Sequence, residues 1–120
     1  MKTSDQLRIL RGILDHGHWG RKYLWSASTG CLCLVGGVNM VCQDNPYGSA
    51  FRSPSYIYRI EQYLYDALPS KYQMQDDDSV FRSGHTGILA SLYAYNDTRT
   101  WRSVSRLIDK AIAAAEANDD

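Results

Sequence analysis

Two apolar stripes joined by a five-residue polar link constrain this chain more than any other feature. In "HTGILASLYAYNDTRTWRSVSRLIDKAIAAA", residues 85–115, Ile88, Leu89, Leu92 and Tyr95 recur at helical spacing before "NDTRT". Trp101, Val104, Ile108, Ala111 and Ala115 then step by three or four and so share one face of a second helix. Both faces can enter one core only if the chain reverses within the link. The pattern predicts helices over 85–95 and 100–115, with Asn96 and Asp97 as turn residues that bond backbone amides. Thr100 is placed to cap the second helix, and Trp101 to tuck beneath it.

The remainder divides into shorter segments. Thr3 with Gln6 three residues on forms a capping-box pattern, and Leu7, Leu10 and Leu14 follow at helical spacing until Gly17. His16 and His18 flank that glycine, where a helix C-terminus favours positive charge. In residues 22–35, "KYLW" and "CLCLV" flank "SASTG", which predicts a β-hairpin with Gly30 at positive φ. "GGVNMVCQDNP" reads as a short buried helix entered near Cys33 and stopped by Asn45-Pro46. Ser53 followed by Pro54 reads as an N-cap with proline in the first turn, opening a helix whose face is Ile57, Ile60, Leu64 and Leu68. Residues 69–84 have no sustained period and hold the run Asp76-Asp77-Asp78, so they are predicted as a long loop, and 116–120 as a frayed end.

At 120 residues the chain is long enough for one core, so 1–120 is predicted as a single domain. The expected fold class is α+β, mainly helical, with about four helices and a short β-hairpin around that core. Thirteen basic residues balance thirteen acidic ones, which removes the global field that would draw in nucleic acid or an anionic membrane. No stretch approaches the roughly 20 apolar residues of a membrane span, and the charged N-terminus does not read as a secretory signal. A cytoplasmic setting follows, and with three cysteines, an odd number, a disulfide scaffold is not expected.

The run "LYAYNDTRTWRSVSRLIDKAIAAA" resembles the ending of a family of small uncharacterised proteins from actinobacteria and their phages. Tyr95, Asn96, Asp97, Arg99 and Thr100 take the family's turn, and Val104, Leu107, Ile108, Asp109 and Ala111 its following helix. "GCLCLVGGVNM" is similar to a second segment of that family, with Cys33, Leu34, Val35, Gly36 and Gly37 in place. Tyr95 stands where that family more often has tryptophan, and Gly37 where it has a small helix former. The resemblance implies a fold and a phage or actinobacterial setting, hence the host-cell cytoplasm for a phage protein, and implies no reaction.

Three sets of side chains carry chemistry in principle. Cys31, Cys33 and Cys42 with His16, His18 or His85 have zinc-ligand chemistry, but Cys-x-Cys lacks the two-residue knuckle of most structural zinc sites. Packing is the better reading: Gly36 and Gly37 allow close backbone approach, and small cysteines fill the space around them. No metal or other cofactor is expected. Cys33, His85 and Asn96 follow the order of papain-like hydrolases, and a cysteine entering a helix has its thiolate favoured by the dipole. Against this, His85 starts a helix, whereas that arrangement needs its histidine on a strand.

The third set is a surface. Nine tyrosines against two phenylalanines leave many hydroxyls to satisfy. Tyr58 and Tyr65 fall off the apolar face of their helix, at its flanks, where tyrosine suits an interface. Arg99, Arg102, Arg106 and Lys110 step by three or four along the last helix, opposite its apolar stripe. These six residues are the binding candidates. With the small size, the lack of a complete catalytic or metal set and the surplus of tyrosine, the expected function is a non-catalytic accessory protein, phage-type as the resemblance implies, that binds a host macromolecule, a host protein first. A nucleotide-type small anionic ligand, held by stacked tyrosines and arginines in a pocket that identical subunits could share, is the second reading, and the cysteine hydrolase is the third.

Overall fold

The structure is a computed structural model that describes residues 1–15, 17–47, 57–73 and 84–120, the side chains of 84–86 excepted. Among these residues five α-helices follow in order: α1 (Thr3–Leu14), α2 (Leu34–Gln43), α3 (Arg59–Ala67), α4 (Gly84–Thr98) and α5 (Trp101–Ala117), with a 3-10 turn at Ser70–Tyr72. Among the described residues there is no strand, so the fold is all-α and not the α+β class that the sequence suggested.

The predicted hairpin over 22–35 is where the two differ. Leu32 makes a single parallel bridge to Trp19 and a single antiparallel bridge to Trp25. Its backbone is shared between two segments: Gly20 N–H donates to Leu32 O at 2.9 Å, while Leu32 N–H donates to His18 O at 2.8 Å. Lys22 has φ +74°, which breaks the extended run that one arm of a hairpin needs. Gly30, at φ +73°, does close a turn, its N–H donating to Ser26 O at 2.7 Å. The segment is thus a pinned loop laid over the helices.

Leu7, Leu10 and Leu14 of α1 are fully buried and meet Val38 of α2, Ile60 and Leu64 of α3, Leu92 of α4 and Ile108 of α5 in one core. Truncating any such leucine to alanine costs about 2–5 kcal/mol in a typical core. Two glycines set the approach of α2. A Cβ at Gly36 would stand 2.0 Å from the Leu24 carbonyl oxygen, and one at Gly37 would meet Leu10 Cδ1 at 2.7 Å. Cys33, only 2 % exposed, caps α2 by accepting the Gly36 N–H on Sγ at 3.4 Å.

Several helix boundaries move from their predicted places. The N-cap of α1 is Lys2, so Thr3 is the first helical residue and Gln6 the fourth, one position out of register for a capping box. Thr3 Oγ1 instead donates to Asp120 Oδ1 at 3.0 Å, and the Ser4 N–H donates to the Asp120 carbonyl at 2.9 Å. The expected fraying of 116–120 is opposed by that clasp, which Arg59 Nε and Tyr63 O–H complete by donating to Asp120 Oδ2. Ser53 and Pro54 lie outside the described residues, yet α3 begins only at Arg59, because Tyr58 is extended and donates its N–H to Glu61 Oε1 at 3.0 Å. Of the loop predicted over 69–84, residues 70–72 form the 3-10 turn and 74–83 lie outside the described residues.

The link between the last two helices is shorter than predicted. Asn96, Asp97 and Thr98 belong to α4, leaving only Arg99 and Thr100 between it and α5. Thr98 Oγ1 donates back to Ala94 O at 2.7 Å, and Thr100 Oγ1 accepts the Ser103 N–H at 3.3 Å. Asn96 and Asp97 therefore do not make the turn. Their side chains reach across to the pinned loop.

Candidate binding groove

The helix reversal places Arg99 at the head of α5, and Ser103, Arg106 and Lys110 continue along its length at spacings of four, three and four. That face looks toward the end of α3, where Ala67 and Pro69 complete a groove of about 200 Å³ with Tyr95 and Leu107. Its floor is apolar and its rim is cationic. Among the described residues no acidic one lines it. The acids of α5 point elsewhere: Asp109 forms an ion pair with Arg11 of α1, Oδ1 to Nε 2.7 Å, and Glu116 pairs with Arg8.

Arg99 is held from two sides. Tyr72, on the 3-10 turn, stacks on Tyr95 with ring centroids 4.9 Å apart and planes at 17°. The Arg99 guanidinium carbon lies 5.5 Å from the Tyr95 centroid and 5.9 Å from that of Tyr72, within cation–π range. Its carbonyl accepts Arg21 Nε at 3.0 Å, and Arg21 in turn lies over the Trp19 ring. A hydrogen bond to Thr98 lowers the Tyr72 phenol from its usual value, and Arg99 and Lys71 reinforce the effect.

Of the six sequence-derived binding candidates, Arg99, Arg106 and Lys110 converge on the groove. Arg102 is exposed on α5 but is not among its lining residues. Tyr58 and Tyr65 are half-buried against the core and lie outside the groove. The ring pair Tyr72–Tyr95 and Ser103 were not read from the sequence as site residues. Tyr72 sits in a stretch without periodicity, so nothing local marks its partner. The Tyr95 signal was its place on the α4 stripe, which reads as core.

The cysteine set separates. Cys33 is buried, and burial above all pushes its thiol up from the usual value, although amide bonds from Gly36 and Val35 pull the other way. Asn96 is 1 % exposed and all its hydrogen-bonding capacity is used. Its Oδ1 accepts Trp19 Nε1–H at 2.7 Å and Leu34 N–H at 2.9 Å, and its Nδ2 donates to Gly20 O and to Asp97 Oδ1, each at 3.1 Å. Asp97 Oδ1 also accepts the Lys22 N–H at 2.8 Å. The pair is a clasp for the 18–34 loop, and a protonated thiol beside it is poorly suited to attack. Cys31, Cys33 and Cys42 form no disulfide with one another. Among the described residues no three His, Cys, Asp or Glu side chains are grouped to hold a metal ion, while His16 and the His85 side chain lie outside them.

Fold and groove together define a small all-α domain with an aromatic-backed cationic cleft. No helix among the described residues is long and apolar enough to cross a membrane. The chain belongs to the family of unknown function DUF6197, which it matches over residues 1–114. No curated protein and no solved structure matches it.

Proposed function

We propose that this is a non-catalytic accessory protein that binds a partner protein through the α3–α5 groove, in the phage-type setting a host protein in the cytoplasm. One observation carries the reading: Arg99, Arg106 and Lys110 line a single groove with an apolar floor and, among the described residues, no acid. Arginine and aromatic rings are the side chains that most often anchor protein interfaces. The nucleotide-binding reading is weaker on size, since about 200 Å³ lies below the roughly 300–1,000 Å³ of pockets that enclose such ligands. The hydrolase reading loses its nucleophile to burial.

The test is capture from an actinobacterial host lysate with the parent chain and with Arg106→Glu/Lys110→Glu as baits. Both residues are exposed, so the double variant should keep the parent's circular dichroism and melting temperature. A stoichiometric partner recovered by the parent and lost from the variant supports the reading. Equal recovery by both baits removes the groove from it, and a thermal shift with a cyclic nucleotide in place of any partner favours the small-ligand alternative.

A further inference from the structure

We infer that the groove recognises a phosphate monoester carried on an apolar group and presented by a segment of the partner protein; this rests on the docking role proposed above. Charge is the first argument. Three cations meet with no acid among the described lining residues, so a single carboxylate would leave two of them uncompensated, whereas a phosphate monoester brings a charge of about −1.5 to −2 and three acceptor oxygens.

Orientation is the second. Arg99 is stacked on the Tyr72–Tyr95 pair, so its planar fork is arranged before any ligand arrives and little freedom is lost on binding. Thr100 Oγ1 donates to Ser103 Oγ at 3.4 Å, leaving the Ser103 proton free to donate into the groove. The third is shape. Ala67, Pro69 and Leu107 form an apolar floor next to the cations, which suits a side chain that ends in phosphate better than a bare ion. Nucleic acid fits less well, because its affinity grows from many phosphates along a cationic track, and the chain's charges balance.

The experiment titrates the full chain with phenyl phosphate, with benzoate and with a short single-stranded oligonucleotide at low ionic strength, followed by amide NMR. Phenyl phosphate should shift the resonances of Arg99, Ser103, Arg106 and Lys110 and bind at least about ten-fold tighter than benzoate, as charge-assisted bonds to more oxygens imply. Arg106→Ala and Lys110→Ala should each weaken it several-fold, and Arg102→Ala should not. Benzoate binding as tightly, no shift with phenyl phosphate, or tighter binding of the oligonucleotide through the same residues overturns the inference. Phosphatase treatment of the lysate separates the two levels. Capture that needs Arg106 and Lys110 but survives phosphatase leaves the docking surface standing and sinks the phosphate, whereas capture indifferent to the charge reversal sinks the docking surface itself.

Discussion

Asn96 Oδ1 lies 2.7 Å from Trp19 Nε1, joining the last turn of α4 to a loop 77 residues earlier in the chain. The same amide satisfies Leu34 N–H and Gly20 O, so one buried side chain fixes both the pinned loop and the start of α2. Asn96→Ala should therefore lower stability by about 2–4 kcal/mol, because several buried groups lose partners at once. Urea denaturation measures it. A loss within 0.5 kcal/mol of zero would show that water replaces the clasp.

Two glycines give opposite expectations. Gly36→Ala places a methyl against the Leu24 carbonyl and should destabilise by several kcal/mol or prevent folding, since backbone cannot step aside cheaply. Gly12 lies in α1 with open space at its Cβ position, so Gly12→Ala should gain about 0.5–1 kcal/mol from helix propensity. Melting temperatures of the two variants should move in opposite directions.

Thr100→Ala removes the side chain that accepts the Ser103 N–H and should cost about 0.5–2 kcal/mol. Since Ser103 and Arg99 flank the cap, chemical denaturation is best read beside partner capture. The expected result is lower stability with capture retained.

Asp120 should give the chain an acid-sensitive clasp. Burial raises its carboxyl, but hydrogen bonds from Tyr63, Thr3 and Arg59, with the Arg59 charge, outweigh it and hold the group below its ordinary 3.8. A carboxyl depressed on folding adds stability that is present above its unfolded value and lost as pH falls through the folded one. Asp120→Asn should thus be less stable than the parent at pH 7, with the difference shrinking once the pH drops below about 4. A gap that stays constant between pH 7 and pH 3 contradicts this account.

Cys33 should be unreactive in the folded protein. Its raised thiol and 2 % exposure leave little thiolate within reach at pH 8, whereas Cys31 and Cys42 are half-buried. Titration with a disulfide reagent at pH 8 should modify Cys33 only after denaturant is added. Rapid modification in the native state would return the cysteine to the list of candidate nucleophiles.

How much was legible follows from the range of the interactions involved. Helix periodicity and the Thr100 cap act within four residues, so the stripes of Leu7, Leu10 and Leu14 and of Val104, Ile108 and Ala111 could be read directly, and the small glycines of α2 announced a close approach. Boundaries failed where a distant group took over a local role: Asp120 serves the start of α1 in place of a Thr3–Gln6 capping box, and Asn96 and Asp97 serve the loop and not the turn. The segment 22–35 carries a hairpin pattern, but polar groups on α4 and the packing of α2 hold its backbone away from a ladder. The sequence alone placed Arg106 and Lys110 on one helix, with Arg99 one short step before it. Only the tertiary structure set them opposite Ala67 and Pro69 and beside the Tyr72–Tyr95 stack, because a groove is made by two surfaces and a single chain segment encodes only one of them.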